Sequence, residues 1–288
     1  MEDYPCHYLP ESTINDLFAH IPQPPRRLTI RGTFPNHEKL VFLTIVGSRN
    51  HSSYGLAACK QLIQGLRGYP IVIVSGLALG IDTIAHEAAL EIGITTIAFP
   101  GSGLDEKIIY PRANRFLAEK ILKSGGCLVS EFTEHQKTND WLFPARNRLL
   151  AGLSHATLVI EATHKSGTRI TARLATEYNR EVLAVPGSMF SQQSEGPNEL
   201  IRMGATPVTT SEHILEALGF QVTEQPMLDL FSQCNPDEQR IIELLTHPQS
   251  RGDLIRKLNL PIHKATVLIT QMEVKGFICE SEGVVRRR

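Results

Sequence analysis

The sequence lacks paired cysteines: Cys6, Cys59, Cys127, Cys234 and Cys279 are scattered and form no Cys-x-x-Cys spacing. That argues against a disulfide framework or a cysteine zinc site, and it fits a reducing compartment. The eleven histidines show no His-Glu-x-x-His or comparable ligand spacing, so no metal site is expected. A Gly-x-Ser-x-Gly elbow is missing as well, and nothing compels catalysis. The first residues, Met-Glu-Asp-Tyr, carry neither a basic start nor an apolar segment, and no apolar run is long enough to span a bilayer. A soluble cytoplasmic protein with no membrane partner is therefore expected. The formal net charge of −1 supplies no general attraction to nucleic acid, so any such binding has to come from a local basic surface.

What is present is ordinary globular composition, 42% hydrophobic and 20% charged. A chain of 288 residues can bury one good-sized core and still carry a small second domain. Residues 1–39 are rich in proline with weak periodicity, and read as an irregular extension with one short helix near Ile14–His20. Across 40–220, short apolar runs recur at Val41–Val46, Ile71–Val74, Ile94–Phe99, Leu128–Ser130, Leu158–Ile160 and Val182–Val185. Helical stretches (Leu56–Arg67, Ile84–Ile92, Arg112–Lys123 and Thr171–Tyr178) alternate with them. Runs apolar on both faces suit parallel strands covered on each side, so a Rossmann-like, doubly wound α/β domain with a mainly parallel sheet is expected. Residues 221–235 read as a linker. Within 236–288, three short helices and a hairpin bracketed by Gly276 and Gly283 point to a small winged helix.

In a doubly wound sheet, ligands gather at the loops that follow strands. Val46-Gly47-Ser48-Arg49 follows the first parallel run. Glycine lets backbone N–H groups approach a ligand, Ser48 can donate, and Arg49 can fork onto a phosphate; an ordinary strand-to-helix turn looks the same. Ser75-Gly76-Leu77-Ala78-Leu79-Gly80-Ile81-Asp82 leads into a helix N-terminus, a natural anion site, but lacks Gly-x-Gly-x-x-Gly spacing. Asp82 and His86 share a helical face, where a cap and a local hydrogen bond are the plainer reading. Pro100-Gly101-Ser102-Gly103 is either a phosphate lid or a tight turn. A fourth loop, Trp141-Leu142-Phe143-Pro144-Ala145-Arg146-Asn147-Arg148, sets aromatic rings beside two arginines, as a single strand of nucleic acid needs; packed rings with solvated arginines remain the alternative. In the fifth, Ser166, Gly167 and Thr168 open a helix flanked by Lys165, Arg169 and Arg173. Between Trp141 and Val185 six Lys/Arg face three Asp/Glu, so this segment is locally basic.

Together these segments resemble the DNA-processing protein A (DprA/Smf) family of natural transformation. The resemblance runs from Tyr4 to Phe220 and more weakly beyond. It includes Tyr4-Pro5, Pro24-Pro25, Leu28, Gly32, Tyr54-Gly55, Ala85-His86, Tyr110-Pro111 with Asn114, and Ser130-Glu131. Phe143-Pro144-Ala145-Arg146-Asn147-Arg148 with Ala151-Gly152-Leu153-Ser154 is its most specific stretch. Glu161-Ala162, Thr171-Ala172, Val185-Pro186-Gly187, Glu195-Gly196-Pro197-Asn198, Leu200-Ile201 and Gly204-Ala205 continue it. The resemblance implies an extended Rossmann fold, a homodimer, and single-stranded DNA binding with no cofactor and no nucleotide hydrolysis. It also implies handover of the strand to the RecA recombinase, displacing single-strand-binding protein. On the matching positions, Gly47, Ser48 and Arg49 hold phosphates, and Gly76 belongs to the same edge. Phe143 contacts a base, and Arg146, Asn147 and Arg148 shape the pocket. Lys165, Ser166, Gly167, Thr168 and Arg169 complete it.

Two departures from the family pattern stand out. Relatives often carry a helical domain before the sheet, where this sequence has the short extension. Asp140 stands where relatives often place a lysine, with Lys137 as a candidate replacement. The C-terminal segment offers Lys264, Lys275 and Arg286-Arg287-Arg288, and an accessory or protein-contact role is the reading favoured for it. Ile214, Leu215 and Leu218 form an apolar stripe that serves either a dimer surface or ordinary packing. A rival reading is a Rossmann-type sensor or hydrolase of a small nucleotide. Such enzymes typically carry a Pro-Gly-Gly-x-Gly-Thr-x-x-Glu stretch; here Lys165–Arg173 is basic and lacks that glutamate.

Overall fold

The computed structural model describes residues 1, 3–221, 235–245, 248–275, 277–281 and 283–287. The chain divides into two compact units, residues 1–221 and 222–288.

The larger unit is built on a nine-stranded sheet. Its centre is β3 (Val41–Val46), followed by helix α2 (Ser53–Gln64), strand β4 (Ile71–Ser75), helix α3 (Ile81–Ile92) and strand β5 (Thr96–Ala98). Helix α4 (Arg115–Lys123) leads to β6 (Cys127–Ser130), and α5 (Leu142–Leu153) crosses back to β7 (Ala156–Val159). Helix α6 (Thr168–Glu177), β8 (Glu181–Ala184), α7 (Glu195–Arg202), β9 (Thr206–Pro207) and α8 (Ser211–Ala217) complete it. From β6 through β5, β4, β3, β7 and β8 to β9 neighbouring strands run parallel. The strand order reverses direction at β3, which pairs with β4 on one side and β7 on the other. That is the topological switch point, and the loops leaving β3 and β7 diverge there to open a crevice.

Strand β3 shows why its sequence is apolar throughout. Phe42 and Val46 join one core with residues of α5 and α6, including Leu149, Leu150, Leu153, Ala172 and Ala175. Leu43 and Ile45, which point to the opposite face, are also fully buried. Thr44 is buried too, and its hydroxyl donates to the Leu150 carbonyl at 3.0 Å.

The lead-in differs from the irregular extension expected. It forms β1 (Cys6–Tyr8), a helix α1 (Glu11–Phe18) close to the one expected near Ile14, and β2 (Thr29–Gly32). Strand β2 pairs antiparallel with β6 and β1 antiparallel with β2, so this segment supplies one edge of the sheet. Strands this short, with one or no buried residue, carry too little alternation to register as strands among prolines.

The smaller unit contains α9 (Pro236–Leu244), β10 (Gln249–Ser250), α10 (Arg251–Leu258), α11 (Ile262–Val274), β11 (Ile278–Ser281) and β12 (Val284–Arg287). The strands form an antiparallel sheet in the order β10-β12-β11. Its own core includes Ile241, Leu254, Leu258, Ala265, Ile269, Met272 and Val285. Asn235 and Glu238 form a reciprocal capping box that starts α9. Apart from Gln221 and Asn235, the expected linker lies outside the described residues.

Candidate nucleic-acid interface

A cavity of about 640 Å³ opens at the switch point. Strand β3 ends directly in Gly47-Ser48-Arg49, which lines it together with Asn50. The Ser48 hydroxyl donates to the Asn50 carbonyl (3.0 Å) and accepts from the Asn50 N–H (3.1 Å), closing a tight turn that leaves Arg49 exposed. Behind it, the Ile81 N–H donates to the Ser48 carbonyl at 3.1 Å, tying this turn to the start of α3.

The opposite wall comes from β7 onward. Ser166, Gly167 and Thr168 line the cavity at the beginning of α6, with Thr171 one turn further on. The Thr168 N–H donates to Ser166 Oγ (3.2 Å), and the Thr168 hydroxyl donates to the Gly47 carbonyl (3.1 Å), joining the two walls. Glu161, buried at the end of β7, accepts from the Ser52 N–H (2.9 Å) and Ser52 Oγ (2.5 Å). Ser52 in turn caps α2, so the β3 and β7 loops are held at three points.

Helix α5 forms the third side. The segment from Trp141 to Arg148, expected as a loop, is helical from Leu142; Pro144 is tolerated because it falls in the first turn, where no N–H is required. Phe143, Arg146, Asn147 and Leu150 all line the cavity, at helical i, i+3, i+4 and i+7 spacing. The same geometry turns Arg148 away. Its guanidinium pairs with Glu131 and donates to the Gln23 carbonyl (2.8 Å), so Arg148 pins neighbouring segments outside the cavity. Arg169 likewise faces elsewhere, bonded to Glu199 (2.9 Å) and to the His164 carbonyl (2.9 Å). Lys165 is exposed and does not line the cavity.

Arg146 and Asp82 form the buried floor. Asp82 accepts from the Gly76 N–H (3.0 Å) and the Ala78 N–H (3.3 Å), so it orders the β4 loop instead of capping its own helix. A Cβ at Gly76 would lie 1.8 Å from Arg146 Nη1 and 2.6 Å from Asp82 Oδ2, which is why glycine stands there. Arg146 Nη1 donates to the Phe99 carbonyl at 2.5 Å. Burial lowers the Arg146 pKa to about 10, opposed by Asp82 and assisted by Arg49. Burial raises the Asp82 pKa, against the pull of Arg146 and the two N–H donors. The Arg49 guanidinium lies over the Phe143 ring, 5.1 Å from its centroid.

The family model described as DNA recombination-mediator protein A matches residues 3–219. The chain belongs to this family. The Escherichia coli protein Smf is 38% identical over 252 residues, which cover 84% of this chain and 66% of that protein. The Streptococcus pneumoniae DNA processing protein DprA is 43% identical over 178 residues, 62% of each chain. These aligned regions span about two thirds or less of the curated relatives' lengths. The X-ray structure of that Streptococcus pneumoniae protein matches with a TM-score of 0.66 at 38% identity, covering 75% of this chain and 74% of its own. The structure of DNA processing protein A from Helicobacter pylori, described for its single-stranded DNA binding mode, matches with a TM-score of 0.67 at 30% identity, covering 75% and 96%. The mixed, mainly parallel α/β sheet is thus the fold of solved DprA structures.

The range matched by the recombination-mediator family holds all the described residues that line the cavity. Asn50, Thr163, Thr171, Gln192 and Gln193 also line it, and the sequence reading assigned them no part. Gln193 donates to the Asn50 carbonyl (2.8 Å) and leaves its Oε1 buried without a partner among the described residues. The adjoining Glu195-Gly196-Pro197-Asn198 signature was the available signal. The Pro100–Gly103 stretch is a buried turn, not a lid: the Gly103 N–H donates to the Gln136 carbonyl (2.8 Å), and Gly101 supports the Phe143 ring. Neither Lys137 nor Asp140, both exposed, lines the cavity. Among the described residues no group of three His, Cys, Asp or Glu could hold a metal ion, and no helix is long and apolar enough to cross a membrane.

Proposed function

We propose that this cavity binds single-stranded DNA, independent of sequence and without cleaving it. The observation that carries the reading is the convergence of phosphate-directed donors and an aromatic face in one crevice. Gly47-Ser48-Arg49, Ser166-Gly167-Thr168, Asn147 and Phe143 line the same cavity, and the Arg49 guanidinium lies over the Phe143 ring. Backbone N–H groups and Arg49 suit phosphates, while the ring suits any base, because every base has a flat face. Asp82 is the single carboxylate among the described lining residues, and its Oδ2 is occupied by two backbone donors. That disfavours the nucleotide-hydrolase alternative, which needs a free general base.

Handover of the strand to the RecA recombinase, displacement of single-strand-binding protein, and a homodimer are further parts of the proposal that rest on the family. Fluorescence anisotropy with single-stranded and duplex oligonucleotides of the same sequence, beside a nucleotide-hydrolysis assay, tests the core reading. Preference for the single strand without hydrolysis is expected; duplex preference or turnover overturns it. RecA filament assembly on a strand precoated with single-strand-binding protein tests the handover, and light scattering in solution tests the dimer.

A further inference from the structure

The Tyr110-Pro111 … Asn114 signature finds only half its explanation in the fold. Asn114 is buried, and its Nδ2 donates to the Leu77 carbonyl (2.8 Å), the Ala78 carbonyl (3.2 Å) and Thr83 Oγ1 (2.8 Å), which fixes the loop after β4. Tyr110 has no comparable structural duty. It is 42% exposed, and its hydroxyl has no hydrogen-bond partner among the described residues. A tyrosine kept for packing normally buries its ring and satisfies its hydroxyl.

Its surroundings give it another use. A small recess is lined by Arg49, Gly76, Ala78, Leu79, Tyr110, Pro111 and Phe143. Arg49, Ala78 and Phe143 also line the main cavity, so the two concavities adjoin across the Phe143 ring. That ring is a fixed partition: its edge rests on Gly101, where a Cβ would come 2.5 Å from Cε1. The Tyr110 and Phe143 centroids are 5.9 Å apart, and the rings are inclined at 60°. Rings so inclined cannot sandwich one base, since stacking needs near-parallel planes; each face suits a different base. At about 30 Å³ the recess is too small to enclose a base, so it acts as a shelf. Leu79, 46% exposed, extends that shelf with apolar surface, and no carboxylate lines it among the described residues.

We propose that Tyr110, with Leu79 and Phe143, forms a second stacking subsite that takes the base next to the one in the main cavity. Arg49 stands between the two as the contact for the intervening phosphate. The proposal rests on the single-strand reading above and adds to it a direction for the strand, from the switch-point crevice across Phe143 toward the Tyr110 loop.

The test uses the full chain and oligothymidylates of increasing length, with affinity read by fluorescence anisotropy. Tyr110→Ala should bind the longer strands roughly five- to tenfold more weakly, the low end for one stacked base given the exposure of this ring. The shortest strands that still bind, filling only the main cavity, should show no loss. Tyr110→Phe should keep the full affinity, because stacking uses the ring and not the hydroxyl. A 5-iododeoxyuridine placed one nucleotide beyond the cavity should photocrosslink to Tyr110. Equal weakening at every length shows that Tyr110 merely supports Phe143 and overturns the subsite, as does unchanged binding at every length. If Arg49→Ala loses affinity while Tyr110→Ala does not, the subsite fails and the single-strand reading survives. If the unaltered chain binds no single strand, both fail.

Discussion

Arg49 and Arg146 share a cavity but have different amounts of charge to offer a phosphate. Arg146 is buried, bonded to the Phe99 carbonyl and balanced by Asp82, so its charge is already spent within the protein. Arg49 is exposed and, among the described residues, held only by the Phe143 ring, an interaction worth about 0.5–1 kcal/mol at an open site. A phosphate can therefore recruit Arg49 and free the ring face for a base. Arg49→Ala is expected to weaken single-strand binding and to lower the slope of log affinity against log salt by about 0.7 for each phosphate that Arg49 neutralises. A salt titration of both proteins checks this; identical slopes exclude the phosphate role. His86 supplies a prediction about stability. Thr96 Oγ1 donates to the Ile73 carbonyl (2.9 Å) and so accepts from His86 Nδ1 (2.7 Å), which leaves Nε2 bare, buried and without a partner among the described residues. Burial, then Arg146, lowers the pKa of this imidazole from 6.5 to about 3. The unfolded chain takes up a proton below pH 6.5 that the folded protein refuses until about pH 3, so stability falls as pH drops through that window. Between pH 7 and pH 5 this one group costs about 2 kcal/mol. Urea unfolding of His86→Leu at the two pH values should show a pH dependence smaller by that amount.

At the scale of elements, the site is a set of loop and helix starts held in register by a few cross-links. The β4 loop is the tightest of them, since Gly76 passes between Arg146 and Asp82 with no room for a methyl group. Gly76→Ala has to displace the buried Arg146 guanidinium and the Asp82 carboxylate, and a loss of about 1–3 kcal/mol is expected. The denaturation midpoint measures it, and single-strand affinity should fall with it as the floor shifts. An unaltered midpoint would mean that Arg146 relaxes freely. This is also the scale at which the sequence is least legible. Strand β3 is readable to the residue because it is covered on both faces and therefore apolar throughout. Helix α5 reads as a loop, since proline and paired arginines in its first turns hide the period. Missing that helix hides its consequence: Arg146 and Asn147 point into the cavity while Arg148 points out. The glycine-rich turns are visible as anion sites from their place after strands, whereas Gln193 lies in a short turn with no period at all. Of the Ile214, Leu215 and Leu218 stripe, Ile214 and Leu215 on α8 are buried within their own unit, as ordinary packing has it, while Leu218 just past the helix is half-buried.

For the whole molecule, the two units have separate hydrophobic cores. The larger packs helices on both faces of its sheet, and every described residue lining the cavity belongs to it. The smaller gathers its apolar residues around Ile241, Leu254, Ile269 and Met272. A domain of that size seldom has more than about 3–5 kcal/mol of stability from one core. It should melt first, as a distinct transition ahead of the larger unit. Ile269 is fully buried there, and Ile269→Ala is expected to cost about 2–5 kcal/mol, enough to unfold the small unit at room temperature. Scanning calorimetry of the full chain should then show the early transition abolished and the later one in place. Affinity for a short oligothymidylate should be unchanged, because the described residues that line the cavity all belong to the larger unit. RecA filament assembly on the same variant then separates two roles for the smaller unit. Failed assembly with intact strand binding assigns it to partner recognition, in keeping with basic side chains already engaged within the unit, Lys275 with Glu238 at 2.7 Å and Arg251 with Glu273 at 3.5 Å. A single concerted melting transition in the unaltered chain would instead require the two cores to be energetically coupled.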